Sequence, residues 1–266
     1  MRKKQILLTN DDGIRSPGLW AAAKALSTLG FVTVAAPREQ STGMGRSLPS
    51  TSTGIIHIEM VDVGGQQWQV HAVQGSPAQA VLHGILEIMP QRPDLVVSGI
   101  NYGENVGSGI AISGTVGAAM EAASIGIPAL AMSLETEKHH HMSYSTDVDF
   151  STAAHFAHLF AQKILKHGMP RGAQLIKVDV PSDATPDTPW HWTKLSSQQY
   201  YISTKPVRTA WEQPAPVGYE LSPQLENEPA GTDVYALLKE RQVSATPLTL
   251  DMTARVAPEE LQRFVG

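Results

Sequence analysis

No cysteine occurs in the 266 residues, which excludes disulfides and thiolate metal sites while leaving the compartment open. Basic charge is not in excess either. The formal net charge is −5, so nothing in the composition calls for a nucleic-acid polymer or an anionic membrane as partner. No apolar stretch approaches the roughly 20 residues of a membrane span. Met1-Arg-Lys-Lys has the charge that opens a signal peptide, yet only Ile6, Leu7 and Leu8 follow before polar residues, too few for its apolar segment. The expectation is a soluble, cytoplasmic protein. Internal repeats are lacking too, and 42% hydrophobic content is enough for a full core.

What is present is a βα rhythm. Ile6, Leu7 and Leu8 form an uninterrupted apolar run of the kind covered on both faces in a parallel sheet. Ser16-Pro17 predicts a helix start and Gly30 its end, and Phe31 to Ala36 forms the next strand. Two antiparallel strands, Ile55 to Val61 and Gln67 to Val73, flank Gly64-Gly65 outside the parallel core. Ser76-Pro77 opens a helix to about Met89. Asp94 to Ser98 is a further strand, followed by a glycine-rich loop and an alanine-rich helix over Val116 to Ser124. Pro128 to Ser133, a helix from Asp149 through Lys166, and Leu175 to Val180 complete the regular part. Beyond Pro181, prolines and aromatics replace the rhythm, which predicts β-hairpins and extended arms serving a subunit contact. The expected fold is α/β: a Rossmann-like, mostly parallel sheet sandwiched by helices over residues 1–184, with a hairpin and arm region for oligomerisation over 185–266.

Three polar clusters follow three of these strands: Asp11-Asp12 after the first, Ser41 after the second, and Asn101 with Ser113-Gly114-Thr115 after the third. In open α/β sheets ligands sit at the carboxyl ends of the strands, so the three loops can meet in space. Gly13 permits the bend that lets two adjacent aspartates converge; an ordinary turn leaving the sheet would use the same residues. Carboxylates with neutral hydroxyl and amide oxygens suit a hard ion such as Mg²⁺ or Mn²⁺. Ser113-Gly114-Thr115 at a helix start offers backbone N–H groups to a phosphate, though an ordinary N-cap reads the same. The chain lacks the Walker lysine loop, a dinucleotide Gly-x-Gly-x-x-Gly after its first strand, and the Asp-x-Asp spacing of haloacid-dehalogenase-type phosphatases. His139-His-His141 fits a solvated loop cluster or an accessory metal site, and Trp190 with Trp192 fits packing or stacking on a base.

Thr9-Asn-Asp-Asp-Gly13, Pro37-Arg-Glu-Gln-Ser41, Ser98-Gly-Ile-Asn-Tyr-Gly-Glu-Asn-Val-Gly107, Ser113-Gly-Thr-Val-Gly-Ala-Ala119, Gly231-Thr-Asp-Val234 and Thr246-Pro-Leu248 together resemble the survival protein E (SurE) family, in its order and across nearly the whole chain. The resemblance implies a metal-dependent 5'/3'-nucleotidase, a phosphoric monoester hydrolase that releases phosphate from nucleoside monophosphates and in some members from short polyphosphate. It places one divalent ion, Mg²⁺ or Mn²⁺, on Asp11, Asp12, Ser41 and Asn101, with Asp11, Asp12 and Asn101 as the catalytic set. Phosphate contacts fall on Ser113, Gly114 and Thr115. It further implies a homodimer or homotetramer built by exchange of C-terminal segments. Three positions depart from the family pattern: Gln79, where aspartate is common, and Lys177 and Asp179 in Lys177-Val-Asp179, where Asn-x-Asn is common. The competing reading is a nucleotide or phosphate sensor that binds without turnover, against which the two carboxylates argue, since anion binding gains nothing from added negative charge.

Overall fold

A computed structural model describes residues 2–63 and 65–265, so Gly64 of the expected glycine turn lies outside the described residues. Strands β1 (Lys4–Thr9), β2 (Gly30–Pro37), β3 (Ile56–Val63), β4 (Gln66–Val73), β5 (Leu95–Tyr102), β6 (Ala129–Leu134), β7 (Leu175–Val180), β8 (Trp190–Trp192) and β11 (Val243–Leu248) form one sheet in the order β3-β4-β2-β1-β5-β6-β7-β11-β8. The run β4-β2-β1-β5-β6-β7 is parallel. β3 is antiparallel to β4 at one end, and β11 antiparallel to β7 at the other. β9 (Tyr201–Thr204) and β10 (Gly218–Leu221) make a separate antiparallel pair.

The alternation within β1 shows why its apolar run is unbroken. Ile6 and Leu8 pack into the cluster under helices α1 (Pro17–Leu26) and α4 (Ser151–His167), whereas Leu7 points to the opposite face, under α2 (Pro77–His83) and α3 (Gly114–Ser124). Side chains alternate across a strand, so a strand covered on both faces needs apolar residues at every position. α1 ends at Leu26 rather than at Leu29, and Ser16 starts it without a side-chain cap bond. α2 is capped reciprocally: the Gln79 N–H donates to Ser76 Oγ (3.2 Å) and the Ser76 N–H to Gln79 Oε1 (2.9 Å). Gln79 therefore keeps the capping box intact. Past His83 the helix widens into a π turn over Gly84–Ile88.

The proline-rich region contributes to the core sheet. β11 runs between β7 and β8 with Val243 and Ala245 fully buried. Trp190 packs edge-on against Phe160 of α4, with centroids 5.1 Å apart, and Trp192 packs edge-on against Trp190. A short helical stretch α5 (Asp233–Tyr235) precedes β11, and α6 (Pro258–Val265) closes the described chain. Residues 251–265 are exposed throughout.

Candidate active site

β1 ends at Thr9, and the chain then turns through Asn10, whose amide closes the turn on the carbonyl (3.0 Å) and N–H (3.2 Å) of Gly13. Gly13 sits at φ +94°, a conformation L side chains rarely adopt, so the bend that brings the aspartates together requires glycine. Asp11 and Asp12 emerge almost wholly buried, 3% and 1% exposed. The backbone N–H of Ser41, after β2, donates to the Asp11 carbonyl (2.7 Å). The N–H of Tyr102, at the end of β5, donates to Asp12 Oδ2 (3.2 Å). These two bonds set the Ser41 and Asn101 loops against the aspartates. The start of α3 completes the enclosure, with Gly114 lying flat on Asp11: a Cβ there would stand 2.6 Å from the Asp11 Cβ.

Each candidate ligand is oriented by its surroundings. Asn101 donates its Nδ2 to the carbonyls of Tyr102 (3.1 Å) and Gly103 (2.7 Å), which leaves its amide oxygen as the atom that could coordinate a cation. Ser41 donates its hydroxyl to the Glu39 carbonyl (3.2 Å), so its lone pairs are available. The Thr115 hydroxyl donates to Asp11 Oδ1. Its hydroxyl is thereby committed to a carboxylate, and what it can offer an anion is its backbone N–H. Ser113 accepts from the Val116 N–H (3.1 Å) as N-cap of α3.

Burial pushes Asp11 up to about 6, although the Thr115 bond pulls the other way. Asp12 is raised well above the carboxylate range by burial and then by the charge of Asp11. Among the described residues no lysine or arginine offsets either group, and buried carboxylates without a counter-charge are costly. A divalent cation would supply the missing charge, and the side-chain donors at hand are all oxygen, as Mg²⁺ and Mn²⁺ prefer. Among the described residues no three of histidine, cysteine, aspartate and glutamate come together, so any further ligands here would be neutral oxygens, of the kind Ser41 and Asn101 carry.

Other parts of the site did not stand out in the sequence. Gln40 bridges two loops, donating to the His141 carbonyl (2.8 Å) and lying 3.4 Å from Asp12 Oδ1. A fourth loop, after β6, thus reaches the site. His141 turns inward, 3.0 Å from the Tyr219 hydroxyl, while His139 stays on the surface beside Glu137 (3.2 Å). Gln40 could have been found inside the Pro37–Ser41 motif. The pairing of the fourth loop with Tyr219 had no sequence signal.

Lys177 is fully buried and closes on two buried carboxylates, Asp179 and Asp233, the latter at 3.0 Å. Burial works to lower the Lys177 ammonium, and the two facing charges outweigh it and raise it. Asp179 accepts the N–H of Asn105 (2.7 Å), and Asp233 accepts those of Gly107 (3.0 Å) and Ser196 (2.8 Å). The triad ties β7 and the start of α5 to the loop that follows Asn101.

The sequence profile described as Survival protein SurE matches residues 6–202. A protein named 5'-nucleotidase SurE from Thermococcus gammatolerans is 42% identical over 265 residues, covering 98% of this chain and 96% of its own. A second of that name, from Thermococcus kodakarensis, is 40% identical with 98% of each chain covered. The crystal structure of the SurE protein from Aquifex aeolicus superposes with a TM-score of 0.77 at 29% identity, covering 98% of this chain and 100% of its own.

Proposed function

This chain belongs to the survival protein SurE family, and on that premise we propose that it is a 5'-nucleotidase whose reaction centre is the Asp11-Asp12 turn. The family is one of metal-dependent nucleotidases. Asp11, Asp12, Ser41 and Asn101 would hold one divalent ion, Mg²⁺ or Mn²⁺. Such an ion, when bound, supplies positive charge to the phosphoryl group and activates water for attack. The observation that carries the reading is the pair of buried carboxylates that no lysine or arginine among the described residues meets.

The chain's own groups do the rest. The start of α3 presents the N–H groups around Ser113, Gly114 and Thr115 to phosphate oxygens, where the positive end of the helix dipole favours an anion. Thr115 holds Asp11 in one orientation, and the Tyr102 N–H with Gln40 does the same for Asp12. Among the described residues the side-chain partners of the two aspartates are Thr115 and Gln40, with no histidine bonded to either carboxylate. A single in-line displacement inverts configuration at phosphorus. Inorganic phosphate released from a nucleoside 5'-monophosphate in Mg²⁺ or Mn²⁺ is the test. Binding of the nucleotide without turnover would assign the chain to the sensor reading instead.

Assembly as a homodimer or homotetramer by exchange of C-terminal segments fits the tail. α6 carries Leu261 (54% exposed), Phe264 (92%) and Val265 (85%) with nothing packed on them. Within residues 185–266, β8 and β11 belong to the sheet. Exchange therefore falls to the β9-β10 hairpin and to the residues after Leu250. No helix among the described residues is long and apolar enough to cross a membrane.

A further inference from the structure

Ser41 belongs to two places at once. It stands against Asp11, and it also forms part of the wall of a cleft of about 580 Å³ between the loop after β2 and the end of β4. Arg38, Met44, Pro49, Val73 and Gln74 line the same cleft. A phosphate needs far less room. The volume is that of a small-molecule site, roughly 300–1,000 Å³, and it suits a base with its sugar. The walls are mixed: Val73 is buried and Met44 and Pro49 are half-buried, while Glu39, Ser41 and the hydroxyls of Thr51 to Thr53 give the rest of the lining a polar character.

Arg38 is the charged donor of this cleft, and it is under-bonded. It makes no salt bridge among the described residues, and its Nε is buried without an acceptor. Its Nη1 lies 3.1 Å from His57 Nε2, and Gln74 Nε2 lies 3.3 Å from the same nitrogen. Two donors thus converge on one acceptor. A guanidinium held so lightly gains more from a new acceptor than one already locked to a carboxylate. Bases and ribose supply such acceptors as ring nitrogens, carbonyls and hydroxyls.

We propose that this cleft receives the nucleoside of the monophosphate and that Arg38 is its specificity-determining contact, an inference that rests on the nucleotidase reading above. The apolar walls at Met44, Pro49 and Val73 cover a face of the base, Arg38 and Gln74 meet its polar edge, and Ser41 marks the junction with the phosphate.

The test compares a nucleoside monophosphate with p-nitrophenyl phosphate, which presents the same phosphoryl group without a nucleoside. In Arg38→Ala the ratio of kcat/KM for adenosine monophosphate to that for p-nitrophenyl phosphate falls roughly tenfold or more, with the loss in KM rather than kcat. The inhibition constant of adenosine against p-nitrophenyl phosphate rises by a similar factor. Arg38→Lys, which keeps the stem and the charge but not the planar fork, moves both quantities the same way and guards against a folding defect in the alanine variant. An equal loss on both substrates, or unchanged inhibition by adenosine, overturns the cleft assignment alone. A wild-type protein that cleaves p-nitrophenyl phosphate but neither cleaves nucleoside monophosphates nor responds to adenosine overturns the nucleotidase reading with it.

Discussion

Asp179 and Asp233 are buried as deeply as Asp11 and Asp12, but the first pair encloses Lys177 and the second encloses no cation among the described residues. Both pairs accept backbone N–H bonds, and both join a strand end to neighbouring loops. What separates them most is charge balance. A buried carboxylate pair that the sequence neutralises internally is a brace, because its stabilisation is complete when the chain folds. A pair left without neutralisation is costly in the isolated chain and cheap only when a cation arrives from outside. The contrast is what supports the proposed metal site at the Asp11-Asp12 turn.

The largest expected effect breaks the contrast at the open pair. Asp12→Asn removes one of two anionic ligands, and phosphate release falls by a factor of the order of a thousand. The same substitution raises the melting temperature of the metal-free protein, because a buried uncompensated charge has gone. Steady-state kinetics and thermal unfolding in chelator read the two halves of the prediction, and a fall in both would remove Asp12 from the open class.

At the closed pair the sign reverses. Lys177→Asn leaves two buried carboxylates facing each other and costs about 3–5 kcal/mol by denaturant unfolding. Adding Asp179→Asn, the pattern common in the family, restores most of that stability. A double variant no better than the single one would show that the lysine is held there for some reason other than charge.

Glu104 tests the rule on a single buried carboxylate, where burial pushes the carboxyl up to about 7 despite the bond donated by Tyr201. A folded value above the ordinary 4.5 means that the folded chain binds the proton more tightly than the unfolded one. The penalty is therefore absent below about pH 4.5 and complete above about pH 7, amounting to roughly 3 kcal/mol at most. Stability of wild type relative to Glu104→Gln should fall as the pH rises through that window. Parallel curves would place Glu104 in contact with a compensating charge.

The smallest expected effect sharpens the open pair from outside. Thr115→Val deletes the hydroxyl that orients Asp11, and Mn²⁺ affinity falls roughly tenfold. Phosphate inhibition should weaken less than metal binding, since the backbone N–H stays. The reverse order would put the hydroxyl on the phosphate.

The sheet was legible in the sequence because its strands are covered on both faces, and such strands announce themselves by apolar residues at every position, as Ile6 to Leu8 do. The SurE family assignment was legible too, through several motifs in order. Less legible was anything set by partners distant in sequence. The course of β11 between β7 and β8 could not be read from Val243 to Leu248, because proline at 247 and the surrounding loops obscure the strand period. Lys177 and Asp179 stood out only as departures, and their partner Asp233 lies more than fifty residues on. At the site, the loops bearing Asp11, Asp12, Ser41 and Asn101 were expected to meet, and hydrogen bonds bring them together. The Thr115 bond to Asp11 and the reach of Gln40 depended on side-chain directions that spacing does not encode.

Calorimetric titration of Mn²⁺ into metal-free protein compares the two pairs most directly. The charge-balance account predicts one ion per chain in wild type, one in the Lys177→Asn/Asp179→Asn variant, and none in the Asp11→Asn/Asp12→Asn variant. Binding that survives in the last of these, or vanishes only in the second, would contradict it.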